Sequence, residues 1–254
     1  MSSDVSRAER ALHRRAGLVH EAAIDAGLPG RFRVWDHAGL MAVSATDPLL
    51  GFLSTVSGVT PETVPAAIDL MHAPDWNGAA PTLVVSVELG EAAALLTAAG
   101  LARTGDRLLA VRRLAARPAS TAGARLDVVD ADEEGPFLRV LLAGYEVDGA
   151  VAAFIRAEHR LPVMRRFLAL AGATPIAAAA MTIHGDVAVL GGASTLPAHR
   201  GRGAQSLLLR HRRRLAADAG CTLAVATARP ESVSAANLSR AGFGLHRRSA
   251  WTAS

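Results

Sequence analysis

The chain has 254 residues, half of them hydrophobic and 20% charged, which excludes a disordered chain and leaves room for one large domain or two small ones. Aromatic residues make up only 4%, with Tyr145 the single tyrosine, so alanine, leucine and valine carry the packing and a base-stacking platform is excluded. All 27 basic side chains are arginine and the net charge is only +4, so no broad surface for a polyanion is indicated.

The first helix is predicted over Ser6–Gly27, where Ala11, Leu12, Leu18, Val19, Ala22 and Ala23 fall about one turn apart. Strands follow at Phe32–Trp35, Leu40–Val43 and Phe52–Val56. A second helix runs from Pro61 to about His72, with Thr60 as N-cap and Glu62 near the positive end. Strand Thr82–Val87, helix Glu91–Ala99 closed by Gly100, and strand Arg107–Arg113 complete the first half. Residues Ala116–Arg125 hold Pro118, Gly123 and small polar residues without periodicity, and read as a linker between 1–115 and 126–254.

Beyond the linker come strand Leu126–Val129 and helices Glu134–Ala143 and Val151–His159. Strands Met164–Leu170, Ile176–Ile183 and Val187–Ser194 follow, joined by hairpin turns at Ala171–Thr174 and His184–Asp186. Helix Gly203–Ala219, strand Thr222–Ala228, helix Ser232–Ala241 and strand Leu245–Trp251 end the chain. On the long helix, Leu208, His211, Leu215 and Ala219 mark the buried stripe, which assigns Arg210, Arg212, Arg213 and Arg214 to solvent. The fold class is therefore α/β with a mixed sheet.

No apolar run approaches the roughly 20 residues of a membrane helix, and Met1–Arg15 lacks the apolar core of a signal peptide. The lone Cys221 leaves no internal disulfide, and the nine histidines lack ligand spacing; a cytoplasmic protein without a metal is expected. The two halves echo each other. Thr82-Leu83 leads to Leu96-Thr97-Ala98-Ala99-Gly100-Leu101 as Thr222-Leu223 leads to Leu238-Ser239-Arg240-Ala241-Gly242-Phe243. Ser57-Gly58-Val59-Thr60-Pro61 likewise mirrors Ala193-Ser194-Thr195-Leu196-Pro197, so two copies of one unit are expected.

The stretch that carries chemistry is Ser194–Leu209, where a strand ends, a loop holds two glycines and a helix begins. A helix N-terminus offers unpaired N–H groups and a dipole that favours an anion. Gly201 and Gly203 allow close backbone approach, and Arg200 and Arg202 supply cations, an ensemble suited to a pyrophosphate. The glycine spacing is neither a P-loop nor a dinucleotide fingerprint.

Here the chain resembles the GNAT superfamily of acyl-CoA-dependent N-acetyltransferases, whose signature Gln/Arg-x-x-Gly-x-Gly/Ala reads Arg200-Gly201-Arg202-Gly203-Ala204-Gln205. Leu190–Pro197 is similar to the family's fourth strand, and Glu231–Phe243 to its fourth helix and the Gly-Phe that ends it. The resemblance covers about Leu126–Trp251 and implies two tandem GNAT copies, the C-terminal one (126–254) complete and catalytic, and 1–115 degenerate because Pro61–Pro65 has neither glycine nor arginine.

The resemblance further implies that the amides of Arg202, Gly203, Ala204 and Gln205 bind the CoA pyrophosphate, beside Arg200 and Gly201. Ser194, Thr195 and Leu196 would pair with the pantetheine arm, and Asn237 would touch the cofactor. Gln205 stands where the family prefers Gly or Ala, so its side chain should turn away from the phosphate. Leu238 stands where many members carry a tyrosine acid, so Ser239 or water would protonate the thiolate, or the thiolate leaves unaided. Tyr145 and Glu146, in the loop lining the acceptor side, are the other catalytic candidates, with Asp148 and Glu158 near them.

The implied activity is transfer of an acetyl or related acyl group from acetyl-CoA or another acyl-CoA to the amine of a small-molecule or peptide acceptor, by direct attack in a ternary complex. A non-catalytic CoA-binding sensor and an aminoacyl-tRNA-dependent acyltransferase are the alternatives. No membrane partner, and no nucleic acid beyond transfer RNA, is expected.

Overall fold

The computed structural model describes residues 3–114 and 126–253; the interval 116–125, read as a linker, lies outside the described residues. Helix α1 (Ser3–Asp25) precedes the hairpin β1 (Phe32–His37) and β2 (Leu40–Ala45). The stretch expected as strand Phe52–Val56 divides in two. Pro48–Leu53 winds into a 3-10 turn because the Asp47 carboxylate accepts from the Leu49 N–H at 2.8 Å, and only β3 (Thr55–Ser57) is extended. Next come α2 (Val64–Met71), β4 (Thr82–Val85), α3 (Ala92–Ala98) and β5 (Leu101–Arg113), which begins earlier than its apolar pattern indicates.

The second half holds β6 (Asp127–Asp130), α4 (Glu134–Tyr145), α5 (Gly149–Arg160), β7 (Arg165–Ala171), β8 (Thr174–His184) and β9 (Val187–Thr195). It ends with α6 (Ala204–Asp218), β10 (Leu223–Ala228), α7 (Val233–Arg240) and β11 (Gly244–Ala253).

Among the described residues, eleven strands join one mixed sheet in the order β1-β2-β3-β4-β11-β5-β10-β9-β8-β7-β6. The halves exchange strands at its centre. β11 lies between β4 and β5, and β5 lies between β11 and β10, antiparallel to both. The full-length partner β11, pairing from Gly244↔Val111 to Ala253↔Leu101, is what keeps the polar Leu101–Asp106 segment extended.

The side-chain period of two sorts the sheet into two faces. On one, Ala188, Leu190, Ala224 and Ala226 pack under α6 with Leu208 and Leu209. On the other, Val187, Val189, Leu223 and Val225 pack under α1 with Val5, Ala8 and Ala11. The start of helix α1 thus packs in the core of the second half, while its Val19 and Ala23 pack with Phe32, Ala45 and Leu50 of the first. Each such buried Val or Leu contributes about 1.5–3 kcal/mol.

Burial holds five imidazoles below their ordinary range: His13, His20, His159, His184 and His211. The unfolded chain therefore binds protons first as the pH falls through 6.5, and stability drops there. Burial raises the Glu9 carboxyl, which works the other way above 4.5. We expect the urea midpoint to be lower at about pH 5 than at about pH 7.5, the histidines outweighing Glu9; equal midpoints would refute this.

Candidate active site

Strands β9 and β10 pair in parallel only over Val187–Val189 and Leu223–Val225. Beyond that point β10 stays with β5 as far as Leu108, while β9 bulges. Two residues, Gly192 and Ala193, stand against one, Ala179, between the pairs Ala180↔Gly191 and Ala178↔Ser194. Gly192 has φ +56°, and a Cβ there would overlap the buried Nε2 of His159. Glycine is required on both counts. The parting strands open a cleft of about 920 Å³, which runs from Gly191–Thr195 to the turn at Arg200–Gly203 and is bounded by α7.

At that turn Gly201 and Gly203 adopt φ +79° and +82° with nothing near the position a Cβ would take. No side chain caps α6 at Gly203, and the Leu207 N–H reaches the Gly203 carbonyl at 3.0 Å. The amides ahead of Leu207 in this first turn have no acceptor within the helix. Arg200, Arg202, Arg212 and Arg240 also line the cleft. The arrangement can hold an anion through backbone donors and guanidinium groups. The Gln205 amide turns inward and donates to the Ser194 carbonyl at 2.6 Å and to Thr195 Oγ1 at 3.1 Å, so it ties the end of β9 to α6.

Tyr145 ends α4 and lines the cleft; its hydroxyl accepts from the Ala193 N–H at 2.8 Å. Burial of the phenol, reinforced by the Glu158 carboxylate, raises its pKa, so it stays protonated at neutral pH. Glu146 takes the left-handed cap position after α4 and points outward, ion-paired to Arg200 at 2.9 Å. Ser239 is exposed and does not line the cleft, because the helical period turns its neighbours Asn237 and Leu238 inward. Asn237 Oδ1 accepts from Arg240 at 2.5 Å. Ser194 and Thr195 line the cleft, whereas Leu196 packs beside α4 with its N–H bonded to the Ile176 carbonyl at 3.0 Å.

Two arginines escaped the sequence reading. Arg212, assigned to solvent, is 3% exposed and donates to the carbonyls of Ala180 at 2.9 Å and Gly191 at 3.3 Å. The expected stripe is shifted: Ala204, Leu208, Arg212 and Ala216 face inward, and Ala219 is exposed. Burial lowers the Arg212 pKa to about 10, still a cation at neutral pH. The i, i+4 spacing from Leu208 is the signal that could have found it.

Arg15 of α1 reaches across to the Glu158 carboxylate at 2.6 Å and to the Val189 carbonyl at 3.3 Å, on the opposite face of the sheet from α6. Burial pushes the Glu158 carboxyl up, but Arg15 and His159 outweigh it and hold the net pKa below the usual range. Two guanidinium groups from opposite faces thus fix the carbonyls of β9 where it leaves β10. Among the described residues no group of His, Cys, Asp and Glu is arranged to hold a metal ion, and no helix is long and apolar enough to cross a membrane.

Residues 122–243 match the acetyltransferase (GNAT) family model. A search of curated proteins finds no significant match. Solved structures share the fold. A GCN5-related N-acetyltransferase from Kribbella flavida is 20% identical with a TM-score of 0.59, over 95% of each chain. A GCN5-related N-acetyltransferase from Sphaerobacter thermophilus is 13% identical with a TM-score of 0.63, over 93% of this chain and 90% of that one. A tandem GNAT protein from the clavulanic acid biosynthesis pathway, solved without AcCoA, is 16% identical with a TM-score of 0.57, over 93% and 87%.

Proposed function

We propose that this chain, whose residues 122–243 match the acetyltransferase (GNAT) family model, moves an acetyl or related acyl group from acyl-CoA to the amine of a small-molecule or peptide acceptor by direct attack in a ternary complex. The observation that carries the reading is a single cleft with an uncapped helix end and two left-handed glycines at one extremity and a bulged strand at the other. The amides of Arg202, Gly203, Ala204 and Gln205 would hold the diphosphate, with Arg200 and Gly201 shaping the turn. Ser194 and Thr195 would flank the pantetheine arm and Asn237 would contact it from α7, while Leu196, packed beside α4, does not line the cleft. The side chain of Gln205 is spent on Ser194 and leaves the diphosphate to the backbone.

Acyl-CoA supplies the activated thioester carbonyl. The Ala193 N–H at the bulge is taken by the Tyr145 oxygen, which leaves the phenol's own O–H as the group that would polarise that carbonyl. Of Tyr145, Glu146 and Ser239, the reading rests on Tyr145, since the other two do not line the cleft. The first half we read as a reduced counterpart that lends the start of α1, and β5, to the second. Its own turn lacks a diphosphate site: Thr60 and Thr63 satisfy their own groups, with the Thr60 N–H donating to Thr63 Oγ1 at 2.9 Å. The buried thiol of Cys221 is compatible with a reducing cytoplasm.

Thiol release from acetyl-CoA should accelerate on adding a suitable member of an amine panel. Binding of acetyl-CoA with no acceleration by any amine would show a non-catalytic acyl-CoA binder instead.

A further inference from the structure

A second cavity, about 330 Å³, lies between α1, α5 and strands β2, β3, β4, β5, β10 and β11, and Thr227 of β10 lines both it and the cleft. Its size is at the lower end of small-molecule sites, about 300–1,000 Å³. Arg107 of β5 and Arg248 of β11 stand directly opposite each other in the antiparallel register, and both line this cavity. Like charges so placed repel, and here they do so out of water: Arg248 is 7% exposed and Arg107 half-buried.

The opposing carboxylate is Glu9 of α1, 3.9 Å from Arg248 and also bonded to the Ser86 hydroxyl. Among the described residues no carboxylate lies within ion-pairing distance of Arg107, which donates to Thr82 Oγ1 at 3.3 Å. The neighbouring charges are settled. Arg103 and Arg247 share Asp106 at 2.6 and 2.9 Å. On the cavity wall Arg15 and Glu158 neutralise each other, and burial keeps His13 and His20 uncharged. Burial depresses both guanidinium groups; at Arg248 Glu9 opposes this and Arg107 adds to it.

We propose that this cavity receives the acceptor, and that Arg107 and Arg248 bind a carboxylate the acceptor carries in addition to its amine. The acceptor is then an amine of amino-acid size with one free carboxylate. This names the acceptor for the transferase reading and rests on that reading for the fate of the amine. Two arginines against Glu9 leave one surplus positive charge, which a carboxylate matches and a phosphate exceeds. Its two oxygens also fit the guanidinium fork. The amine end would be directed to Thr227, the residue that lines both the cavity and the cleft, and Glu158 also lines the cavity.

The test is a thermal-shift titration of the full chain with the common L-amino acids, each beside its α-amide, and with phosphoethanolamine. It is repeated on Arg107→Met and Arg107→Lys and followed by acetyl-transfer assays with the same compounds. At least one amino acid should bind about tenfold or more tightly than its amide. Arg107→Met should erase that preference, while the unliganded variant is as stable as the parent because a like-charged neighbour has gone. Arg107→Lys, which keeps the charge and loses the fork, should retain part of the preference.

Amides binding as well as acids, phosphoethanolamine binding best, or Arg107→Met keeping the preference would each overturn the inference. Transfer to amines with no advantage for acids overturns it while leaving the transferase reading intact. Carboxylate-selective binding without transfer to any amine supports the anion site and refutes the transferase reading.

Discussion

Acetyl-CoA at a hundred times its Kd should stabilise the parent chain by about 2.7 kcal/mol, and Gly203→Glu should show no stabilisation at all. Gly203 sits at φ +82°, where an L side chain costs on the order of 1–2 kcal/mol, so the variant begins somewhat less stable. That cost alone would not remove a ligand effect. The carboxylate would: it would stand among the unpaired amides at the start of α6 and occupy the proposed diphosphate site with a charge of its own. Gly203→Ala separates the two causes, since it carries the strain without the charge and should keep part of the acetyl-CoA shift. The readout is the melting temperature of each variant with and without acetyl-CoA. An undiminished shift in Gly203→Glu would place the diphosphate elsewhere.

Arg15→Met should lower unfolding stability by about 3–5 kcal/mol, because it leaves the Glu158 carboxylate almost buried without its counter-charge. Glu158→Gln should cost less, since a neutral amide replaces the charge and can still accept from Arg15. The double variant Arg15→Met, Glu158→Leu should recover much of the loss, as apolar residues of similar volume often replace a buried pair at little net cost.

The sign with pH follows from the lowered Glu158 pKa. The contribution of the pair is present above the unfolded value of 4.5 and is lost as the pH falls through the folded value. The gap between parent and Arg15→Met should therefore narrow in acid. Urea unfolding at several pH values measures this, and a gap that widens in acid would contradict the assignment of the pair.

Much of the local structure was legible because its causes are local. The hairpin turns at 171–174 and 184–186, the Ser232 cap of α7 and the glycine stops after α3, α6 and α7 are read from residues that satisfy or release backbone groups within a few positions. The turn at Arg200–Gly203 was legible for the same reason. Two glycines and a helix start can be recognised without any partner.

What eluded the sequence depends on residues far apart in the chain. Arg212 reads as surface because an arginine is normally solvated, and its burial follows from the Ala180 and Gly191 carbonyls. Ser239 reads as close to the chemistry by its position beside Leu238, but one residue on a helix is a turn of about 100° and carries it out of the cleft. The early start of β5 had no sign in its apolar pattern, since β11 supplies its pairing.

The amino-acid order by itself determined most of the elements and the glycine turn ahead of α6, because hydrophobic period, capping and glycine conformation act over a handful of residues. Only the folded molecule decided that the two halves share one sheet, that the start of α1 serves the core of the second half, and that Arg107 and Arg248 face each other across a cavity. Strand order and the pairing of charges are set by which surfaces are buried together, and contacts between residues more than a hundred positions apart leave no periodic trace in the chain.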